Sequence, residues 1–254
     1  MTTRDRHGLA AVPFGLAGLA VLLAAWWSVT ALALVPRTFL PAPALAWAAL
    51  VRGWTVGDLA GQTAQTVLRM LGGWLLASLA GVALGSLVGL SATARRYLGP
   101  SLAFMRALPA SAVIPVAIAF AGLSPGMVLG VVAFGSLWPT LLSTVHGFAT
   151  IDPRLRDVAS ALHMSNAAFV WKIGLPNALA DILTGMRLSM TVALILSVTG
   201  EMLAAQQGLG QAILLAARSF RSADLFAGLI LLGVIGIAST LVLAAVERRC
   251  LRWR

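Results

Sequence analysis

Long apolar runs alternate with short polar segments along the whole chain, and this alternation is its dominant pattern. A bilayer core about 30 Å thick needs about 20 apolar helical residues to cross it. Six runs meet that length, at residues 12–34, 67–90, 101–121, 127–148, 182–203 and 226–246. A Gly-Leu-Ser-Pro-Gly turn signal at 122–126 divides the third run from the fourth. The pattern therefore predicts an all-α, polytopic bundle of six transmembrane helices.

The polar segments between these runs carry further predictions. The segments are residues 1–11, 35–66, 150–181 and 247–254. Three prolines in the segment after the first span exclude a helix there. The following stretch has helical spacing, with Trp47 and Trp54 nearby, which suits a short helix at the outer membrane interface. An ordinary structured loop fits that stretch equally well.

Composition supports a membrane protein and excludes several other classes. Hydrophobic residues make up 59% of the 254 residues and charged residues 10%, against about 45–50% and about 25% in globular proteins. One cysteine, Cys250, excludes a disulfide-rich fold. The net charge of +10 lies in short clusters between apolar runs, which favours a topology signal over nucleic-acid binding.

The distribution of Lys and Arg predicts the orientation. With the N-terminus inside, 13 of the 18 basic residues fall on the inner side and five on the outer side. An inner excess of this kind favours two cytoplasmic termini. The five outer residues in this assignment are Arg37, Arg52, Arg69, Arg218 and Arg221. The 13 inner residues are Arg4, Arg6, Arg95, Arg96, Arg106, Arg154, Arg156, Lys172, Arg187, Arg248, Arg249, Arg252 and Arg254.

No reactive constellation is apparent. The three histidines are too scattered for a metal site, and no catalytic motif of a hydrolase or metalloprotease occurs. The one lysine, Lys172, follows Trp171 rather than Gly, so a phosphate-binding loop is excluded. We therefore predict no catalytic residue, no metal site and no cofactor bound by this chain, so that any nucleotide hydrolysis must come from a partner.

The segment 150–181 is the most informative part of the sequence. Asp152-Pro153 predicts a helix start, because Asp caps free N–H groups and Pro suits the first helical position. Leu155, Val158, Ala159 and Leu162 then form one apolar stripe. Ser165 or Asn166 can cap a second short helix over 167–173 that ends before Gly-Leu-Pro at 174–176. Two such helices predict either a docking platform or a loop packed on its own bundle.

This segment resembles the EAA motif of ATP-binding-cassette importer permeases. Asp157-Val158-Ala159 occupies the Glu-Ala-Ala place, and His163 stands where the family usually has Gly. Ile173, Leu175 and Pro176 fall at the spacing of the motif's Ile-x-Leu-Pro. The resemblance implies an ATPase-coupling loop. Its residues are Arg154, Leu155, Asp157, Val158, Ala159, Leu162, His163, Ile173, Leu175 and Pro176.

The resemblance extends from about residue 12 to the C-terminus. Over this range the chain is similar to one subgroup of the family, the nitrate, taurine and aliphatic-sulfonate permeases. The resemblance is carried by Phe-Leu-Pro-Ala-Pro at 39–43, Leu-Pro at 108–109 with Pro115, Ile-Leu-Thr-Gly-Met-Arg at 182–187, Gly-Glu-Met at 200–202, Gly-Leu-Gly at 208–210 and Glu-Arg-Arg at 247–249. It implies a type I importer permease of the bacterial inner membrane, with a transmembrane domain over 60–246 and a coupling helix between the fourth and fifth spans.

The same resemblance implies the partners. A second permease copy, identical or different, would complete the pore, and two ATPase subunits carrying ATP and Mg²⁺ would dock on the inner loops. A periplasmic or lipid-anchored binding protein would deliver a small anionic solute. Membrane lipid is the remaining partner, and no nucleic acid is expected. A self-sufficient secondary transporter or channel is the alternative, followed by a membrane enzyme or assembly factor.

Five residues are candidates for the translocation pathway or its gate. They are Glu201, Ser197, Thr199, Pro109 and Pro115. An ionisable group at membrane depth is costly, which favours a function for Glu201. The alternative is a hydrated interfacial Glu201, or one paired with Arg218 or Arg221. Packing between helices is the preferred role of the hydroxyl residues, and the prolines can kink their spans.

Overall fold

The computed structural model of the protein describes residues 3–251 and the side chains of residues 17–251. Within that part of the chain it forms helices and turns without a strand, as the all-α prediction expects. The helices are α1 (Thr3–Ala31), α2 (Pro43–Thr55), α3 (Leu59–Leu90), α4 (Ala92–Ala107), α5 (Ala110–Ala121), α6 (Pro125–Ala149), α7 (Pro153–Ala161), α8 (Asn166–Phe169), α9 (Leu175–Leu203), α10 (Leu209–Arg218) and α11 (Ser222–Cys250). The side chains of the predicted inner residues Arg4, Arg6, Arg252 and Arg254 lie outside the described residues.

Four helical stretches are long and apolar enough to cross a membrane, and a bent pair of helices adds a fifth candidate. The four are Leu59–Leu90, Pro125–Ala149, Asn166–Leu203 and Ser222–Cys250. Within the described side chains, the predicted first span is represented by the shorter apolar stretch Ala17–Ala31. Its helix ends at Ala31 rather than at 34, and Ala33 adopts a positive φ of 52°. The protein is thus a multi-pass helical membrane protein.

The predicted third span, 101–121, is wrong as a single helix. α4 and α5 meet at an angle of 84°, with the break at Leu108 and Pro109. Leu108 is extended (ψ 123°), because the ring of a following proline disfavours the helical conformation. Pro109 also has no N–H to donate to the preceding turn, so the first helix ends there.

Compact packing divides the chain into two units, and each is described by itself. The first comprises residues 1–60 and 212–231. In it the indole N–H of Trp26 donates to the Pro41 carbonyl at 2.9 Å, and the ring of Trp26 lies 5.3 Å from that of Phe226. Helix α2 forms over the stretch for which a helix or a loop was expected, with Trp47 and Trp54 exposed.

The second unit comprises residues 61–211 and 232–254, and α6 packs extensively against α9 in it. Helix α3 approaches α6 closely through glycines spaced four residues apart. A β-carbon added at Gly81 would lie 3.0 Å from the β-carbon of an α6 residue. One added at Gly85 or at Gly89 would lie only 2.6 Å from such a β-carbon. Small residues of this kind allow helix backbones to approach in membranes, where burial from water contributes little.

The predicted second loop helix does not end before Gly174. The chain stays helical from Asn166 to Leu203, through a π-helical turn over Val170–Gly174. The N–H of Leu175 donates to the carbonyl of Val170, five residues back. Pro176 lacks an N–H, and the wider π turn directly before it accommodates this loss within one helix. The fifth predicted span, 182–203, is therefore the second part of a longer helix.

Candidate functional site

A helix forms where the sequence predicts one, and its first turn is closed by a side chain. Asp152 Oδ1 accepts the N–H of Arg154 at 2.9 Å, and Pro153 takes the first helical position of α7. A capping carboxylate satisfies a free N–H of the first turn and interacts favourably with the helix dipole. The predicted cap is thus confirmed.

The last turn of α7 is closed by backbone bonds around His163. The N–H of His163 donates to Ser160 O and that of Met164 to Ala159 O, each at 3.0 Å. This pair of bonds is the Schellman ending of a helix, which requires a left-handed residue, usually Gly. His163 holds that place with φ of 50°, which explains why the motif that this segment resembles has Gly here.

The predicted apolar stripe of α7 divides into two faces. Ala159 is buried and packs in a cluster with Phe148, Phe169 and Ile182. The other three members are exposed, with 36% of Leu155, 53% of Val158 and 67% of Leu162 accessible. The expectation of one four-residue contact face is therefore wrong for Ala159, which anchors α7 to its own bundle.

We call the exposed set Leu155, Val158 and Leu162 the α7 apolar face. Charged side chains flank it, since Arg154 and Asp157 are both exposed. Arg156, which the sequence did not single out, ties the helix down by donating from Nη2 to the Phe148 carbonyl at 3.1 Å. An arginine near the C-terminal end of a helix, here α6, complements the free carbonyl groups there.

The remaining candidate residues of the coupling loop lie in the π turn and at the start of α9. Ile173 and Leu175 are half-buried and pack against the Ala159 cluster, and Pro176 is exposed. They connect α7 to α9 rather than adding to the α7 apolar face. The loop thus combines an internal anchor with an outward apolar surface.

The other end of α9 carries a buried charge cluster centred on Glu201, whose side chain is fully buried. Arg69 Nη1 donates to Oε1 at 2.7 Å. Thr66 Oγ1 and the N–H of Gly210 donate to Oε2, each at 2.9 Å. Each carboxylate oxygen thus has a hydrogen-bond partner, as a buried charge requires.

The same cluster holds the segment that follows α9. Arg69 Nη1 also donates to the Gln207 carbonyl at 2.7 Å, and the N–H of Leu209 donates to Thr66 Oγ1 at 2.9 Å. Gly208 lies against the Glu201 carboxylate so closely that a β-carbon there would collide with it. Helix α3, the end of α9 and the start of α10 are thereby joined through one carboxylate.

The alternative pairing of Glu201 with Arg218 or Arg221 is wrong. Arg221 lies 3.3 Å from Asp224, and the partner of Glu201 is Arg69. The sequence counted Arg69 among the outer basic residues, although it lies inside the predicted span 67–90. An arginine within an apolar run is the signal that could have identified it.

The other candidates for the pathway do not join this cluster. Ser197 is buried, and Thr199 donates back to the Ile195 carbonyl of its own helix at 2.8 Å. Pro109 and Pro115 are exposed on the broken α4–α5 pair. Their part in a pathway stays a prediction, as does that of Glu201.

The described chain is a multi-pass helical membrane protein that presents a capped, partly exposed helix between two long apolar helices. Residues 77–252 match the family described as binding-protein-dependent transport system inner membrane component. The chain belongs to this family, and it is a permease component of an ATP-binding-cassette importer rather than a self-sufficient transporter.

Individual relatives extend over nearly the whole chain. The chain is 31% identical to the putative aliphatic sulfonates transport permease protein SsuC of Bacillus subtilis, over 92% of this chain and 85% of the relative. It is 29% identical to the taurine transport system permease protein TauC of Escherichia coli, over 95% and 90%. It is 28% identical to the nitrate import permease protein NrtB of Leptolyngbya laminosa, over 69% and 63%.

Proposed function

We propose that this permease couples to a separate ATPase through α7 and, with a second copy of itself, encloses the pathway of a small anionic solute. The observation that carries the coupling assignment is the α7 apolar face. Its three large apolar side chains are exposed. They belong to a helix that is capped at both ends and packs on its own bundle through the buried Ala159. An exposed apolar patch with a polar rim is typical of an interaction site.

The anchoring fits a mechanical role. ATP and Mg²⁺ would bind to the ATPase subunits, and closure of the ATPase pair would displace the helices seated on them. A helix transmits such a displacement when it is rigid and firmly connected to the spans behind it. Ala159, the Arg156 bond to Phe148 and the unbroken helix from Asn166 to Leu203 supply that connection.

Six spans with both termini in the cytoplasm complete the proposal. α1 would be the first span and the bent α4–α5 pair the third. Arg69 and Arg187 each form an ion pair within the chain, with Glu201 and Glu247 respectively, so we leave both out of the orientation count. Setting both aside leaves twelve basic residues on the inner side against four on the outer side, so the inner excess is preserved.

The solute class that we propose follows from the relatives. The relatives are named for aliphatic sulfonates, taurine and nitrate, all of which carry an oxyanion group. A binding protein would deliver such a solute at the outer face.

Cross-linking from the α7 apolar face tests the coupling assignment. Leu162→Cys is introduced with Cys250→Ser, which removes the single native cysteine, and the importer is expressed with its ATPase and binding protein. A thiol-to-amine reagent should join Leu162→Cys to the ATPase. Val56→Cys, on a residue 89% exposed at the end of α2, is the control and should form no such adduct. Equal adducts at both sites, or none at Leu162→Cys in an assembled importer, would contradict the assignment.

Cysteine labelling tests the orientation. A membrane-impermeant thiol reagent applied to intact cells should label Val56→Cys and spare a cysteine placed at Arg95. Strong labelling at Arg95 from outside would overturn the proposed orientation, whatever the outcome of the cross-linking.

A further inference from the structure

A cleft of about 540 Å³ with both polar and apolar walls opens beside the Glu201 cluster. Its walls come from α3, from the start of α6 and from the segment that follows α9. A volume of this size is within the range of about 300–1,000 Å³ that is typical of small-molecule sites. Nothing in the coupling function uses this cleft.

Arg69 lines the cleft, and two hydrogen bonds to its own chain fix the orientation of its guanidinium group. Both of its protein acceptors, Glu201 Oε1 and the Gln207 carbonyl, receive their bonds from the same nitrogen, Nη1. A guanidinium has five N–H donors on three nitrogens, so Nε and Nη2 are used by neither acceptor. The guanidinium is therefore preorganised and retains donors for a further acceptor.

The remaining polar lining suits an anion. Gln65, Gln206 and Gln207 contribute amide side chains, and no carboxylate lines the cleft. Glu201 itself is fully buried behind Arg69 and has its own bonds to Thr66 and Gly210. An oxyanion would thus meet donors without facing an exposed negative charge.

The other walls are apolar. Leu68, Pro125 and Leu129 line the cleft together with the polar residues. A charged head group on a short apolar stem is complementary to such a surface, because the stem covers the apolar wall while the head reaches the guanidinium. Planar guanidinium groups also match the spacing of two oxygens on one anion.

We propose that this cleft binds an oxyanion group, with Arg69 as its charged ligand and Gln65 and Gln207 as polar neighbours. That the anion is the transported solute rests on the proposed function. A phospholipid head group presents the same chemistry, so the experiment separates the two sources.

Occupancy of the cleft can be measured without transport, because a bound anion should protect a cysteine in the cleft from labelling. Ala205 is exposed and lines the cleft without belonging to the proposed ligands. Ala205→Cys is combined with Cys250→Ser, and the purified permease complex in phosphatidylcholine nanodiscs is labelled with an uncharged maleimide. Ethanesulfonate and nitrate, titrated to about 0.1 M, should slow labelling about tenfold as the unoccupied fraction falls. Choline chloride at the same concentration should not, and labelling of Val56→Cys should not respond to any of these salts. Failure of both anions to protect would overturn the solute assignment.

A separate comparison tests whether a phospholipid head group is the anion that occupies the cleft. Nanodiscs that contain phosphatidylglycerol are compared with phosphatidylcholine alone, with no anion added. Protection could appear only with phosphatidylglycerol and not with ethanesulfonate or nitrate. This result would support an oxyanion site but contradict the assignment of the transported solute as its ligand. Absence of protection in every arm would overturn the site itself.

A charge placed in the cleft provides the matched variant. Gln65 is exposed, so Gln65→Glu should fold normally while placing a negative charge near Arg69. It should raise the anion concentration needed for half protection about tenfold. Gln211→Glu makes the same change outside the cleft and should leave that concentration unaltered. Equal behaviour of the two variants would contradict the role of Arg69, and neither result depends on ATPase docking.

Discussion

The Glu201 cluster at the end of α9 and helix α7, which precedes α9 along the chain, differ in how much of each is satisfied within the subunit. At Glu201 a charged group is fully buried, and each of its oxygens meets a donor from the same chain. At α7 the backbone ends are closed within the chain, but Leu155, Val158 and Leu162 remain outside the core. The first arrangement is complete in one subunit, and the second leaves apolar surface that one subunit does not cover.

This contrast separates residues that stabilise the subunit from residues that contact a partner. Substituting a member of the Glu201 cluster is expected to destabilise the subunit itself. Substituting the α7 apolar face is expected to spare the subunit and affect only an assembly. Ala159 and Arg156 lie between these cases, because they connect α7 to the bundle.

The largest effect is expected for Glu201→Leu. The change leaves the buried Arg69 charge without its carboxylate and removes the acceptor of Thr66 and of the Gly210 N–H. Loss of one partner of a buried pair costs about 3–5 kcal/mol. Denaturant unfolding of the purified permease complex in detergent should show a decrease of that size, with reduced yield.

The double variant Arg69→Met with Glu201→Leu is the control for that decrease. An apolar pair of similar volume is often neutral relative to a buried ion pair, so it should recover most of the lost stability. A double variant as unstable as Glu201→Leu would show that the hydrogen bonds to the α9–α10 segment matter more than charge balance.

Val158→Asp should leave the subunit intact and abolish ATPase retention. Val158 is 53% exposed, so the carboxylate stays hydrated in the free subunit but loses that hydration under a partner. The expected cost is about 1–3 kcal/mol, or tenfold and more in affinity. Co-purification of the ATPase and solute uptake measure the effect.

Two comparison variants make that test specific. Val56→Asp repeats the substitution at a position 89% exposed and should retain the ATPase. Ala159→Asp is unsuitable as a docking test because Ala159 is buried in its own chain, so a charge there disturbs folding first. An assembled, fully active Val158→Asp importer would mean that the α7 apolar face contacts no partner.

Arg156→Met should loosen α7 without removing it. The change deletes the bond to the Phe148 carbonyl, and a hydrogen bond with a charged donor contributes about 1.5–3 kcal/mol, with the lower end expected for the half-buried Arg156. Backbone hydrogen exchange in α7 should become about tenfold faster, whereas Arg154→Met, on the exposed side, should leave it unchanged. Equal exchange in the two variants would indicate that the Ala159 contact alone anchors the helix.

Local patterns in the sequence were sufficient for the parts of the fold that local chemistry decides. The cap at Asp152 follows from residues two positions apart, and the apolar helices follow from their run lengths. The Arg69–Glu201 pair joins residues 132 positions apart, and no periodicity encodes such a partner. A span can be recognised locally, whereas its buried charge needs the tertiary structure.

The two errors in helix assignment have the same source. Leu108-Pro109 breaks the third predicted span, whereas Gly174-Leu175-Pro176 does not end the helix that begins at Asn166, although both segments contain Leu-Pro. At Pro176 a π turn accommodates the missing donor, while at Pro109 the chain turns by 84°. A proline marks a possible break, and the packing of the neighbouring helices decides whether it occurs.

The smallest effect is expected at His163, the left-handed residue that ends α7. A non-glycine residue at φ of 50° bears about 1 kcal/mol of strain, which glycine avoids. Glycine also gains freedom in the unfolded chain, which offsets about 0.4–1 kcal/mol of that relief. His163→Gly should therefore slow hydrogen exchange at the end of α7 slightly and leave ATPase retention unchanged, whereas the β-branched His163→Val should accelerate exchange. Faster exchange in His163→Gly would mean that the imidazole contacts stabilise the helix end by more than its backbone strain costs.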